Sequence, residues 1–136
     1  MSTKSTSGHR GFTLIEMMVV ISVILILLSV AMPIYSHSLV RAREDTLHHN
    51  LETLNKVIDQ YTRDKKKGPQ SLDDLKTAGY IDSIPEDITG RIDTWVTDKD
   101  DEADTILYLD QTEAGITGVH SGSDQVSLDG TTYSSW

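Results

Sequence analysis

The chain has 136 residues, with 12 Lys+Arg against 21 Asp+Glu and a formal net charge of −9 at pH 7. That acidic balance argues against a nucleic-acid partner, because affinity for phosphate backbones comes mainly from clustered Lys and Arg. With no cysteine in the chain, disulfide scaffolds, thiol catalysis, thiolate zinc sites and iron–sulfur clusters are excluded. The 38% hydrophobic content and mean hydropathy of −0.28 describe a small soluble domain only on average, since the apolar residues gather at one end.

Residues 1–11 are polar and carry Lys4, His9 and Arg10 but no acid. Residues 12–34 form an apolar run, and between positions 17 and 32 only Ser22 and Ser29 are polar. As a helix this run is about 35 Å long, enough for a hydrocarbon core of about 30 Å. A buried core helix rarely stays apolar on every face, and the polar-rich remainder is too short to wrap one. The run therefore reads as a membrane span. A secretory signal would place its cleavage site after the apolar stretch; here 29–31 is only a weak match, and the sharp change in composition precedes the stretch, at Gly11/Phe12. Glu16 stands one turn inside the span, where a carboxylate left at bilayer depth costs about 2.5–3.5 kcal/mol. It either snorkels to the interface or waits for a cation supplied by a partner.

The string Lys4…Gly11-Phe12-Thr13-Leu14-Ile15-Glu16, followed by the apolar run and Pro33, resembles the class III signal of type IV pilins and type II secretion pseudopilins. The resemblance implies that a prepilin peptidase cuts between Gly11 and Phe12 and methylates the new amino terminus, giving N-methyl-Phe12. It also implies that Glu16 pairs with the Phe12 amine of a neighbouring subunit, which makes physical sense because two buried charges are tolerable together and costly apart.

Beyond Pro33, which removes a backbone donor and is expected to kink or open the helix, the pattern becomes amphipathic. Leu47, Leu51, Leu54, Ile58 and Tyr61 make one apolar stripe, widened by Val57. Arg41, Arg43, Glu44, Asp45, Glu52, Lys56 and Asp59 are assigned to the solvated remainder. His48 with Glu44 and Glu52 at i±4 has metal-ligand spacing, although a solvated face is the commoner meaning. Lys65-Lys66-Lys67 reads as the basic end of the helix. Because Arg41 and Arg43 follow the span while Lys4 and Arg10 precede it, the positive-inside rule does not decide orientation. The resemblance implies a cytoplasmic leader, a single pass through the inner membrane and a periplasmic or extracytoplasmic head, with the filament in the periplasm or at the cell surface.

Gly68-Pro69 marks the start of the globular part. Ser71-Leu-Asp-Asp74 fits a capping box and opens a short helix through about Ala78, with Gly79 as C-cap. Residues 84–90 read as a loop, and 94–97, 105–109 and 116–120 as short strands. Residues 121–136, rich in Ser, Gly, Asp and Thr, read as mostly loop. The predicted fold is α+β and pilin-like: a leader at 1–11, a membrane-spanning half-helix at 12–34, an amphipathic half at 35–67, and a head at 68–136 with a small antiparallel sheet packed on the apolar stripe.

The series Tyr61…Asp64…Gly68-Pro69…Leu72…Leu75…Gly79-Tyr80…Ile84-Pro85…Gly90, with a late His120-Ser-Gly-Ser-Asp124, resembles the G-type major pseudopilin branch. That resemblance implies a C-terminal calcium loop, with Asp124 and Asp129 as hard oxygen ligands and the carbonyls of Ser121 and Val126 completing the shell. The spacing of the two aspartates is shorter than the branch's loop, and a solvated Asp-rich turn is the alternative. The acidic series Asp98, Asp100, Asp101, Glu102, Asp104 lacks EF-hand spacing and reads as a solvated loop.

A structural role is expected rather than an enzyme; Gly118-Val-His-Ser-Gly122 misses the spacing of a nucleophile elbow. The expected partners are further copies in a helical homopolymer, other pilin-like subunits, the prepilin peptidase, and an inner-membrane assembly platform with its ATPase. The expected role is a type II secretion pseudopilus subunit; a major or minor pilin and a membrane-anchored envelope protein are the alternatives. The net charge of −9 divides into a leader of +2 and a mature chain of −11 (10 basic, 21 acidic residues).

Overall fold

A computed structural model of the chain describes residues 11–99 and 114–136. The elements in chain order are helix α1 (Leu14–Lys65), helix α2 (Leu72–Thr77), strand β1 (Trp95–Lys99), strand β2 (Ile116–Ser121) and a 3₁₀ turn (Tyr133–Ser135). The chain divides into two compact units, Met1–Leu39 and Val40–Trp136. The long N-terminal helix and the small antiparallel sheet are the predicted pilin-like α+β fold.

In the first unit every described side chain from 11 to 39 is exposed, including Leu14, Ile15, Leu27, Val30 and Ile34. Length and composition suit this stretch of α1 to cross a membrane. Its serine hydroxyls are satisfied within the helix. Ser22 Oγ donates to the Met18 carbonyl at 2.7 Å and Ser29 Oγ to that of Ile26 at 2.7 Å. Ser36 Oγ donates to the carbonyl of Pro33 at 2.9 Å. These local bonds leave no serine hydroxyl without an acceptor in hydrocarbon. Pro33 lies inside the helix without ending it.

In the second unit the spacing of the predicted stripe becomes the core. Leu47, Leu51, Leu54 and Ile58 are buried, with Tyr61 and Val57 partly buried beside them. They pack with Leu75 of α2, Trp95 of β1, Ile116 and Val119 of β2, and Tyr133. Each fully buried leucine or isoleucine contributes about 1.5–3 kcal/mol relative to exposure.

The helix ends two residues earlier than the lysine run suggests, with Lys66 turning into left-handed backbone at φ 59°. α2 has the predicted cap: the Asp74 carboxylate accepts the N–H groups of Ser71 at 3.1 Å and Gln70 at 2.8 Å. At its other end Gly79, at φ 81°, lets Tyr80 N–H reach the Leu75 carbonyl and Gly79 N–H that of Lys76. This pair of bonds makes a Schellman motif.

β1 and β2 pair antiparallel with Trp95 opposite Ser121 and Val96 opposite His120, and the register shifts between Asp98 and Lys99. The observed strands start one residue later (β1) and end one residue later (β2) than predicted; the predicted strand at 105–109 lies outside the described residues. From β2 to the C-terminus the chain runs back along α1 and is fastened at three levels. Ile116 N–H donates to the Pro69 carbonyl at 2.8 Å, Val119 N–H to Asn55 Oδ1 at 3.1 Å, and Leu128 N–H to Glu44 Oε1 at 2.8 Å. The first level demands glycine twice: a Cβ on Gly115 would stand 2.6 Å from the Gly68 Cα, so the two backbones touch directly.

One expectation is borne out and one is corrected here. Residues 121–136 are mostly loop, as read, but the loop is internally tied: Val126 bridges Thr132, Ser127 N–H donates to the Thr131 carbonyl at 2.7 Å, and Tyr133 is buried. Glu44 is not on the solvated face but is 7% exposed beneath that segment.

Candidate assembly site

The residues expected to be processed sit at the start of α1. Gly11 and Phe12 precede the helix, and Phe12 is 77% exposed. Thr13 acts as the N-cap: its Oγ1 accepts the Glu16 N–H at 3.2 Å and its carbonyl accepts the Met17 N–H at 3.2 Å. Thr13-Leu-Ile-Glu16 is itself a capping-box pattern, a sequence signal hidden beneath the processing motif. Glu16 lies in the first turn of the helix, where its charge is favourable to the dipole, and it has no ion pair among the described residues. Within the chain as it stands the Phe12 nitrogen is an amide; cutting the Gly11–Phe12 bond is what would turn it into a cationic amine. A cut at that bond would therefore supply a cation four residues from the Glu16 carboxylate.

The C-terminal segment forms a second cluster. Glu44 Oε1 accepts from both Leu128 N–H at 2.8 Å and Tyr133 Oη at 2.9 Å. Burial first, then the hydrogen bond to Glu44 and its negative charge, push the Tyr133 phenol above its ordinary value. One turn along the helix His48 stacks on Trp136, ring centroids 4.1 Å apart and planes at 11°, and Trp136 meets Tyr133 edge-on. Trp136 Nε1 donates to Thr131 Oγ1 at 2.8 Å. Glu52 is occupied by Lys56 at 3.0 Å. The His48/Glu44/Glu52 spacing thus brings three residues with three separate partners, and no group of three or more His, Cys, Asp or Glu suited to a metal occurs among the described residues.

The four residues expected around calcium are distributed along this segment. Ser121 closes β2, fully buried, with its Oγ accepting from Ser123 N–H at 3.2 Å. Asp124 and Asp129 are exposed, and Asp129 N–H donates to Ser127 Oγ at 3.2 Å in the turn that Gly130 completes at φ 85°. The hydrogen bonds beside the Val126 bridge run through Gln125, Ser127, Thr131 and Tyr133, so the Val126 carbonyl is not used by them. Of the acidic series, Asp98 pairs with His120 Nδ1 at 3.2 Å; the other four members lie outside the described residues.

An exposed apolar helix with one carboxylate in its first turn, continuing into an amphipathic half that carries a small head, is the arrangement of a pilin-like structural subunit. Residues 6–32 match the prokaryotic N-terminal methylation motif. The chain is 36% identical to competence protein ComGC of Halalkalibacterium halodurans over 74 residues, which is 54% of this chain and 72% of that protein. It is 33% identical to type IV major pilin protein PilE1 of Neisseria gonorrhoeae over 83 residues, 61% of this chain and 48% of that pilin. The match therefore spans about half the length of the pilin. No solved structure matches the chain. The chain belongs to the type IV pilin and pseudopilin family. Its relatives are named as pilin and competence proteins rather than enzymes, and its N-terminal helix is a membrane anchor by family and by composition.

Proposed function

We propose that this chain is a structural subunit of a type IV pilus-like filament, cut by prepilin peptidase between Gly11 and Phe12 and polymerised through the N-terminal part of α1. The observation that carries this reading is Glu16: a lone carboxylate in an exposed, otherwise apolar helix, four residues from the nitrogen that processing would make cationic. In lipid the Glu16 carboxylate is costly; in a filament core it pairs with the Phe12 amine of the next copy, so assembly relieves the cost. Extraction from the membrane is the work of a partner ATPase on an assembly platform. The leader faces the cytoplasm and the head the opposite side.

Co-expression with a prepilin peptidase tests the reading directly. Mass spectrometry of the mature chain should show an N-methylated Phe12, and Gly11→Ala should leave the leader attached; unchanged processing of Gly11→Ala defeats the proposal. Glu16→Ala should insert and fold but enter filaments poorly, and normal incorporation would contradict the role given to Glu16.

Two readings of the filament's use are supported by different observations. The head residues between Tyr61 and Gly90 resemble a secretion pseudopilin, whereas the relatives are named for competence and for a type IV pilus. Deleting the encoding gene and measuring protein secretion beside DNA uptake and surface piliation separates them. Calcium on the C-terminal loop is a separate proposal, supported by the exposed carboxylates of Asp124 and Asp129 and the Val126 carbonyl. Calorimetry of the detergent-solubilised chain should show heat on adding calcium that Asp124→Ala/Asp129→Ala abolishes; no heat removes the metal.

A further inference from the structure

The chain contains a single Asp-Gly pair, Asp129-Gly130, and no Asn-Gly pair. Both residues are exposed in the turn of the C-terminal segment. Gly130 takes φ 85°, and nothing stands within 4 Å of the place its Cβ would occupy. Neither a side chain on residue 130 nor a packed neighbour crowds the peptide between the two, so the Gly130 nitrogen is sterically free to approach the Asp129 carboxyl. What restrains the pair is hydrogen bonding. Gly130 N–H donates to the Ser127 carbonyl at 3.1 Å, and Asp129 N–H to Ser127 Oγ at 3.2 Å. Ser127 N–H donates to the Thr131 carbonyl at 2.7 Å, and the Ser127 and Thr131 hydroxyls share a 3.1 Å bond. The turn is moored to α1 through Leu128 N–H, which donates to Glu44 Oε1 at 2.8 Å.

We infer that Asp129-Gly130 is a site of spontaneous isoaspartate formation, gated by the Glu44 mooring, and that its conversion releases the C-terminal segment from α1. With Asp129 in its acid form, the Gly130 nitrogen attacks Cγ. The N–Cγ bond forms, the Cγ–OH bond breaks, and the hydroxyl leaves with the amide proton as water. Water then adds to the main-chain carbonyl carbon of Asp129 in the resulting succinimide and breaks its bond to nitrogen. The backbone now runs through Cβ and Cγ, longer by a single atom, with a free α-carboxylate; water is the only co-reactant. Ring closure consumes the N–H that the Ser127 carbonyl holds, so the turn has to open first. The population of such a local opening is set by the bonds that keep the segment shut. The product cannot close the turn again, because a backbone lengthened between Ser127 and Thr131 loses the register of their paired bonds. Leu128 is drawn off Glu44 with it, and the release is one-way. The inference stands whether or not the chain polymerises.

The full-length chain, purified in detergent with chelator so that no calcium holds Asp129, is kept warm at neutral pH for weeks. It is sampled with endoproteinase Asp-N, which cuts before aspartate but not before isoaspartate. Cleavage before Asp129 should decline progressively. Cleavage before Asp124 should persist, because Gln125 sets a side chain beside the attacking nitrogen. Labelling by isoaspartyl methyltransferase should rise in step, and should stay at background in Asp129→Glu, whose ring would be larger. Glu44→Ala should speed conversion by at least about tenfold, and Glu44→Gln by less, since each weakens the mooring that has to open. Circular dichroism shows that each variant is folded, and Glu44→Gln, which keeps an acceptor, carries the comparison if Glu44→Ala is not. The converted chain, separated by chromatography, should show red-shifted tryptophan emission as Trp136 leaves His48. Cleavage before Asp129 that never declines overturns the inference. So does conversion at one rate in the native, Glu44→Gln and Glu44→Ala chains, or a converted chain whose emission is unchanged.

Discussion

At the scale of single residues, Glu44 has the largest structural duty relative to its appearance in the sequence. Its carboxylate accepts the N–H of Leu128 and the hydroxyl of Tyr133 in a site closed to water. Glu44→Ala leaves both donors without an acceptor, so the head should lose about 3 kcal/mol, read from denaturant unfolding followed by Trp136 fluorescence. Glu44→Gln keeps an acceptor oxygen in place and should lose about 1 kcal/mol. Equal losses in the two variants would mean that charge rather than hydrogen bonding holds the segment. The same contact has an alkaline signature. The folded state raises the Tyr133 phenol, so it holds that proton more tightly than the unfolded chain does. This contribution to stability is complete below the unfolded tyrosine value and is lost as pH rises through it towards the folded value. Unfolding midpoints measured from neutral pH upward should therefore fall more steeply for the native chain than for Tyr133→Phe. Nothing local announced the burial of Glu44. Its neighbours Arg43 and Asp45 are exposed, and its partners stand 84 and 89 positions away. Glu16 was legible for the opposite reason, since a charge inside an apolar run is conspicuous without any knowledge of the fold.

At the scale of elements, what could be read was what is periodic or capped nearby. The 4-3-4 spacing from Leu47 to Ile58 became the buried face of α1, and Asp74 and Gly79 bounded α2 by short-range hydrogen bonds. The order in residues 121–136 was hidden because it is held from a distance: a polar segment rich in small residues looks like loop until Glu44, His48 and Tyr133 are brought to it. Gly68 shows both sides of this limit. Beside Pro69 it marks the end of the helical region, but its contact with Gly115 is a tertiary demand. A methyl at Gly115 would meet the Gly68 Cα at 2.6 Å, with backbone rather than a flexible side chain in the way. Gly115→Ala should therefore push β2 away from Pro69, weaken the Ile116–Pro69 hydrogen bond and cost about 2 kcal/mol or more. Hydrogen exchange of the Ile116 amide is the direct probe; unchanged protection there would show that the crossing has room to relax.

At the scale of the whole molecule, one continuous helix serves two units that obey different rules. Residues 11–39 bury nothing and are suited to lipid or to other apolar helices, while the core of the second unit draws its first residues from Glu44 and Leu47. The head should consequently keep its fold when the first unit is removed, provided that Glu44 is retained. A chain of residues 40–136 should be soluble, with the edge-on Tyr133–Trp136 contact and the His48–Trp136 stack intact, and should unfold in one cooperative transition. A chain beginning at 48 loses the acceptor for Leu128 and Tyr133 together with the fully buried Leu47, whose removal alone costs about 2–5 kcal/mol. It should unfold at markedly lower denaturant and release Trp136 to solvent first, seen as a red-shifted emission before the main transition. If the two chains unfold alike, the C-terminal segment is held by the sheet rather than by the helix. If both are unfolded while the full-length chain in detergent is folded, the second unit depends on the first. The expected contrast, a stable chain from 40 and a loosened one from 48, would locate the start of the folding unit between the end of the anchor and the Glu44 contact.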